Sequence, residues 1–201
     1  MSRKLEQEVK FYLDDPKAFE ENLVAMGARL KQARILETNL RFDTPDRRLS
    51  SSFQTLRLRQ DKVCRLTWKG AGDPMGEVSA REEREVEVSD LDSARAILEG
   101  LGFEVMLMYE KYRSAWMLGE VEISLDEMPF GNFCEVEGPD SESIKVAAGL
   151  LGLDWEKRST LSYLALFEII KKNLDLKVRD LSFEVFKDIK VNPEDFGLTS
   201  D

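Results

Sequence analysis

Apolar and charged residues alternate in one segment after another of this chain. In KLEQEVKFYL, residues 4–13, apolar positions alternate with Glu6, Glu8 and Lys10. A period of two residues is typical of a β-strand that buries one face. The pattern recurs in strand-like segments, which we place at about 35–43, 54–60, 63–70, 81–88, 104–118, 120–127 and 132–138. Alternation over so many short segments predicts an antiparallel sheet.

Helix signals interrupt the strands at a regular spacing. An aspartate that can act as an N-cap opens, and a glycine closes, an apolar pattern of helical period at 15–27, at 90–102 and, more weakly, at 140–152. The equal lengths of these segments indicate that the chain consists of two similar halves. A final amphipathic helix is expected at about 159–172.

The chain is long enough for one ordinary domain. It has 201 residues, 42% of them hydrophobic, and lacks a linker or low-complexity segment. We therefore predict one domain at 1–173 and a C-terminal tail at 174–201 that packs on it through residues such as Leu181 and Phe186. The oligomeric state stays open, and a homodimer is compatible with the sequence.

Composition excludes several classes of function. The net charge of −10 argues against nucleic-acid and membrane-surface partners, and no apolar run reaches the roughly 18 residues of a membrane-spanning helix. The two cysteines, Cys64 and Cys134, sit in strand-like apolar segments, which indicates reduced core thiols and a cytoplasmic location. Histidine is absent, so the chain has no imidazole to act as a general base or zinc ligand.

The charged face of each strand raises the question of what it contacts. One interpretation is an open sheet whose charged side faces water. Three features favour a closed barrel with the charges inside: cations and carboxylates occupy different strands, cations come in i, i+2 pairs such as Arg57 and Arg59, and helices are available to cover the outer apolar faces. The fold class predicted is therefore α+β, a closed antiparallel β-barrel tunnel with helices outside.

Charges inside a tunnel require partners, because desolvating them alone is costly. A linear triphosphate with divalent metal ions satisfies both signs. Lysine and arginine side chains bind phosphoryl oxygens, and carboxylates bind hard cations such as Mg²⁺ or Mn²⁺. The predicted ligand is thus a small-molecule triphosphate substrate.

The ordered motifs resemble those of a known family, the CYTH domain or triphosphate tunnel metalloenzyme superfamily. The opening EQEVK is similar to its Glu-x-Glu-x-Lys signature, and the likeness covers roughly 4–170. It continues through FDTPDRRL, LRLR, TWKG, REEREVEV, EKYR, SLDEMPFGNFCEVEG and LSYLALF. The resemblance implies an eight-stranded antiparallel β-barrel tunnel that uses Mg²⁺ or Mn²⁺. One departure is Leu161, which stands where the family has a lysine before Ser162 and Tyr163.

The resemblance also implies roles for particular residues. The metal-binding residues would be Glu6, Glu8, Glu135 and Glu137. The triphosphate-binding residues would be Lys10, Arg57, Arg59, Lys69, Lys111 and Arg113. The catalytic acids, which position a second metal or the attacking water, would be Glu83, Glu85 and Asp126.

Three functions are compatible with such a site. The first is a metal-dependent triphosphatase acting on inorganic tripolyphosphate, thiamine triphosphate or a nucleoside triphosphate. The second is a class IV adenylyl cyclase, which converts ATP to cyclic AMP and pyrophosphate. The third is a non-catalytic module that binds polyphosphate or nucleotide. Hydrolysis is favoured because the Arg57/Arg59 and Glu83/Glu85 pairs are both complete and no aromatic or amide cluster can be assigned to adenine.

Overall fold

Eight antiparallel strands form a closed barrel in the computed structural model, which describes residues 5–72 and 76–198. The strands are β1 Leu5–Leu13, β2 Arg29–Asp43, β3 Thr55–Gln60, β4 Cys64–Lys69, β5 Ser79–Val88, β6 Glu104–Leu118, β7 Val121–Met128 and β8 Gly131–Gly138. Their order around the barrel is β1-β5-β4-β3-β2-β6-β7-β8, and β8 pairs with β1 to close it. The predicted α+β barrel is confirmed.

Helices lie on the outside of this barrel. They are α1 Pro16–Ala25, α2 Arg48–Ser51, α3 Leu91–Gly100, α4 Ser141–Leu150, α5 Tyr163–Asn173 and α6 Phe183–Phe186, with 3₁₀ turns at Trp155–Lys157 and Pro193–Phe196. Asp15, Asp90 and Asp140 accept backbone N–H bonds at the starts of α1, α3 and α4, so these residues are N-caps as the sequence predicts. None of the described helices is long and apolar enough to span a membrane.

Two element boundaries differ from the sequence prediction by more than two residues. Strand β2 begins at Arg29 instead of about residue 35, and register shifts between Leu30 and Ile35 break the alternation that would have revealed its first half. Helix α5 begins at Tyr163 instead of about residue 159, because Ser159 pairs with Lys10 of β1 as a short bridge. The chain therefore stays extended up to the α5 N-cap.

Three clusters of buried apolar residues join the helices to the barrel. Helix α4 packs Ile144 and Ala148 against the outer faces of β1, β7 and β8. Helix α3 packs Leu98 against β2 and β3. Helix α5 shares the third cluster with aromatic residues of β6 and β8 and with the C-terminal segment. Helices α3 and α4 thus cover outer apolar faces, whereas α5 packs on Tyr109, which lines the interior cavity together with Tyr163.

The C-terminal segment completes one edge of β6. Strand β7 pairs with β6 only from Tyr112 onward, so the first half of β6 has a free edge. The backbone of Leu181 fills this edge by accepting a bond from Glu110 N–H and donating one to the carbonyl of Met108. Leu181 is fully buried. The boundary of the domain at residue 173 stays a prediction, although α5 ends at that residue. Cys64 and Cys134 are buried thiols.

Candidate active site

The barrel encloses a cavity of about 360 Å³ lined mostly by charged side chains. Alternation directs every second side chain of each strand inward, which is how one chain supplies so many charges to one space. Every site residue predicted from the sequence lines this cavity except Asp126. The lining therefore contains the predicted phosphate-binding cations, the predicted metal-binding carboxylates, Glu83 and Glu85.

The charges of the lining divide the barrel into two halves. One half is the basic arc, which we define as the inner faces of β4, β3, β2 and β6, neighbours in the sheet. Its lining cations are Arg65, Lys69, Arg57, Arg59, Lys31, Arg41, Lys111 and Arg113, and Glu37 is the acid that lines it among the described residues. The other half is the acidic arc, the inner faces of β7, β8, β1 and β5. Its lining acids are Glu122, Glu135, Glu137, Glu6, Glu8, Glu83 and Glu85, which outnumber its two lining cations, Lys10 and Arg81. A polyanion and a cation can thus be bound from opposite walls.

Two lysines connect carboxylates of the acidic arc. Lys69 of β4 forms an ion pair with Glu6, and its Nζ lies 3.6 Å from Glu83. Lys10 of β1 pairs with Glu8, and its Nζ lies 3.1 Å from Glu135. Burial favours a neutral Lys10, but Glu135 and Glu8 outweigh burial and raise the pKa of Lys10 above its usual value.

Asp126 lies behind the cavity lining, and both of its carboxylate oxygens already accept hydrogen bonds. It accepts bonds from Lys111 Nζ at 3.0 Å, from Arg113 Nε at 2.6 Å and from the hydroxyl of Tyr163 at 2.7 Å. Burial opposes its ionisation, but Arg113 and Lys111 outweigh burial and lower the pKa of Asp126. The Arg113 guanidinium also donates to Glu135 at 2.7 Å. Asp126 thus holds two cations of the basic arc in place, so its predicted role as a catalytic acid is not supported by its position.

Residues of β2 and β6 that sequence analysis did not assign take part in the basic arc. Arg59 donates to Asn39 Oδ1 at 3.0 Å and to Glu37 Oε1 at 3.3 Å. Arg57 Nη1 lies 3.4 Å from the hydroxyl of Tyr109, to which it donates. The signal was available for β2, because residues 37, 39 and 41 share one face in a strand that the sequence predicts at 35–43.

Tyr109 is a phenol surrounded by cations. Burial opposes its ionisation, but Arg57, Arg59 and Lys111 outweigh burial and lower the pKa of Tyr109 to about 8. Its hydroxyl can therefore change protonation state close to physiological pH, a property that the sequence alone, without histidine, does not reveal.

The predicted metal-binding carboxylates repel one another. Glu8 of β1 and Glu137 of β8 are directly opposite in the sheet. Burial, followed by the charges of Glu6, Glu135 and Glu8, raises the pKa of Glu137 to about 7. Within residues 5–72 and 76–198, no three acid, thiol or imidazole side chains converge as a preformed metal site. Glu6 and Glu8 instead bind Lys69 and Lys10.

This donor set fits a hard divalent cation. It consists of carboxylate oxygens, the ligands that Mg²⁺ and Mn²⁺ prefer. The raised pKa of Glu137 indicates excess negative charge, which a cation would relieve. Glu85, on the neighbouring β5, accepts a bond from the Thr67 hydroxyl at 2.8 Å and faces the same cavity.

Comparison with known proteins identifies relatives of the whole barrel. The family model of the CYTH domain matches residues 4–159, which include all eight strands. Adenylate cyclase CyaB of Aeromonas hydrophila is 27% identical over 176 residues, covering 82% of this chain and 90% of the relative. A candidate adenylate cyclase of known structure from Vibrio parahaemolyticus is 25% identical with a TM-score of 0.73, covering 83% of this chain and 99% of the other. The candidate adenylyl cyclase HpAC1 from Hippeastrum, which has a dominant triphosphatase activity, is 24% identical with a TM-score of 0.62, covering 81% and 95%.

Proposed function

Since the chain belongs to the CYTH domain family, we propose that it is a metal-dependent phosphohydrolase that binds a triphosphate-containing substrate inside the barrel. Enzymes of this family are triphosphatases or class IV adenylyl cyclases, act on small-molecule triphosphates and depend on a divalent metal. Within that range we propose hydrolysis: water attacks the terminal phosphoryl group, and the shortened chain leaves.

The observation that carries this proposal is the separation of charge across the cavity. A linear triphosphate has oxygens for the basic arc, and a divalent cation has coordination sites for the acidic arc. A purely cationic cavity would suit an anion alone. The opposed acidic arc supports a substrate that brings a metal ion with it.

In this proposal each arc has a defined task. The phosphate chain binds to Arg57, Arg59, Lys69, Lys111 and Arg113 of the basic arc and to Lys10, a cation that β1 contributes from the acidic arc. The metal ion, Mg²⁺ or Mn²⁺, would be held by Glu6, Glu8, Glu135 and Glu137. When bound, it would neutralise the charge that develops on the phosphoryl oxygens. Lys10 and Lys69 form ion pairs with Glu8 and Glu6. When substrate enters, each ammonium group can exchange its carboxylate partner for a phosphate oxygen.

Glu83 and Glu85 are the proposed groups that orient the attacking water. Both line the cavity on β5, at the border between the two arcs. Glu85 Oε2 accepts a bond from the Thr67 hydroxyl, and its Oε1, 3.6 Å from Arg65 Nε, has lone pairs that can accept a bond from water. Asp126 acts through Lys111 and Arg113, as a positioning residue.

Turnover assays on purified protein test the proposal. Tripolyphosphate, thiamine triphosphate and ATP are supplied separately with Mg²⁺ or Mn²⁺, and orthophosphate, pyrophosphate and cyclic AMP are measured. Hydrolysis predicts release of orthophosphate from at least one substrate. Cyclic AMP and pyrophosphate from ATP, without orthophosphate, would establish the cyclase instead, the reaction named for the relative CyaB. Binding of every substrate without any product would make the protein a binding module.

A further inference from the structure

Arg41 of β2 stands out among the cavity-lining residues. It lies directly opposite Arg57 in the sheet, and both face the cavity. Like charges directly opposite each other on neighbouring strands destabilise a sheet. Burial lowers the pKa of Arg41, and the charges of Arg57 and Arg81 also lower it, which together outweigh the opposing effects of Tyr109 and Asp43. The repulsion between Arg41 and Arg57 destabilises the fold, which indicates a role for the pair that offsets this cost.

The same region has an excess of hydrogen-bond donors. In the described part of the chain, Arg41 Nε, Arg57 Nε and Asn39 Nδ2 are buried without an acceptor. Asn39 is fully buried, and Arg57 is 9% exposed. Buried donors without partners are rare, because each costs free energy. Glu37 Oε2 on β2 is a buried acceptor that also lacks a hydrogen bond, but it lies 3.7 Å from Lys111 Nζ. Three unpaired donors on two adjacent strands therefore still point to a missing acceptor.

Asp43, the next carboxylate along β2, does not supply the missing hydrogen-bond acceptor for Arg41. Asp43 follows Arg41 by two residues and is nearly fully buried. It accepts bonds from the backbone N–H groups of Thr44, Leu49 and Ser50 at 2.8, 2.8 and 2.9 Å. These bonds hold the loop after β2, so the carboxylate is committed to the fold. Among the described residues, Asp43 therefore does not supply an acceptor for Arg41 Nε, and a ligand bound in the cavity would supply one.

Building on the proposed function, we propose that Arg41 and Arg57 together bind one phosphoryl group of an inorganic polyphosphate chain. Two guanidinium groups present more donors and more charge than a single carboxylate can satisfy, whereas a phosphoryl group offers several oxygens and a higher charge. Tyr109, at 3.4 Å from Arg57, supplies a hydroxyl beside the same group. Arg41 is thereby a substrate-binding residue.

Replacing Arg41 should change thermal stability in the opposite direction from most substitutions. If Arg41 serves only the ligand, it destabilises the ligand-free protein by repelling Arg57. Replacing it by a neutral residue should then raise the thermal stability of the ligand-free protein and weaken ligand binding at the same time. A residue that served the fold alone would lower stability when replaced.

The experiment compares Arg41→Gln, Arg41→Lys and the control Arg84→Gln. Arg84 lies on the outer face of β5 with its side chain 61% exposed, so its change removes the same charge away from the cavity. Tripolyphosphate affinity is measured by calorimetry in the presence of EDTA, which removes divalent metal ions. The midpoint of thermal unfolding is measured without ligand. Arg41→Gln should bind at least about tenfold more weakly and unfold about 2–4 °C higher. Arg41→Lys should keep the wild-type midpoint and bind severalfold more weakly, and Arg84→Gln should bind like the wild type.

Other results would overturn the proposed role of Arg41 in ligand binding. A lower unfolding midpoint for Arg41→Gln, or its failure to fold, would make Arg41 a structural residue and overturn the inference. Unchanged affinity in both Arg41 variants would overturn it as well. If the wild-type protein itself does not bind tripolyphosphate, with or without Mg²⁺, the proposed function fails, and the inference with it.

Discussion

Tyr109 brings a titratable group into the basic arc. The charged groups around it are Arg41 of β2, Arg57 and Arg59 of β3 and Lys111 of β6. With a pKa of about 8, its hydroxyl is mostly neutral at pH 7 and mostly ionised at pH 9. The neutral phenol can donate to a phosphate oxygen. The phenolate cannot donate, and it places a negative charge where the substrate must bind.

The affinity for tripolyphosphate should therefore fall as pH rises through about 8. In Tyr109→Phe this fall should be absent between pH 7 and 9, while the affinity at pH 7 drops a few-fold because one donor is lost. Calorimetry across this range measures both effects. Tyr112→Phe is the matched control, because Tyr112 lies outside the cavity against Arg34 and should retain the wild-type profile. An unchanged pH dependence in Tyr109→Phe would remove Tyr109 from the site.

Glu8 allows metal binding to be separated from folding. It faces Glu137 across the β1–β8 pair and lines the acidic arc. Glu8→Gln should weaken Mn²⁺ binding at least about tenfold and abolish metal-dependent turnover, because a charged oxygen ligand is lost. The fold should persist, since Lys10 keeps Glu135 at 3.1 Å. Glu99→Gln on the exposed face of α3 is the control. Normal Mn²⁺ affinity in Glu8→Gln would contradict the metal assignment.

Helix α5 acts on the site through one side chain. The hydroxyl of Tyr163, at the first turn of α5, donates to the buried carboxylate of Asp126, which in turn holds Lys111 and Arg113. Tyr163→Phe should lower the free energy of unfolding by about 1.5–3 kcal/mol, because a bond to a buried charge is lost. Turnover should fall too, as the two cations lose an oriented partner.

Chemical denaturation measures the stability change. Tyr12→Phe is the control, since its ring packs edge-on against Phe133 in the same apolar cluster. We expect its unfolding free energy to differ from the wild type by less than about 0.5 kcal/mol. Equal effects of Tyr163→Phe and Tyr12→Phe would assign the role of Tyr163 to ring packing instead of to its hydroxyl.

Strand faces were predictable because side-chain direction has a period of two residues. Every predicted site residue on β1, β3, β4, β5 and β8 reaches the cavity lining. What alternation does not determine is the order of strands around the barrel, and with it the separation into two arcs. It also does not reveal how deep a side chain lies. Asp126 shares a face with Glu122, yet Glu122 lines the cavity, and Asp126 lies behind it.

At the scale of the whole molecule, the two arcs place like charges together on each side of the cavity. Carboxylates repel one another on the acidic arc, as the raised pKa of Glu137 indicates, and Arg41 faces Arg57 on the basic arc. A metal ion alone would neutralise only the acidic arc, and a phosphate chain alone would neutralise only the basic arc. A metal ion and a phosphate chain, which also bind each other, would relieve both arcs together.

Tripolyphosphate and Mg²⁺ should therefore stabilise the protein cooperatively. The unfolding midpoint is measured without ligand, with each ligand alone and with both, at constant ionic strength. The shift with both ligands should exceed the sum of the separate shifts, by an amount that corresponds to a coupling free energy on the order of 1–3 kcal/mol. Glu8→Gln should keep the shift with tripolyphosphate and lose the excess, because its change lies on the acidic arc. Strictly additive shifts in the wild-type protein would mean that the two arcs bind their ligands independently, and the joint site would have to be abandoned.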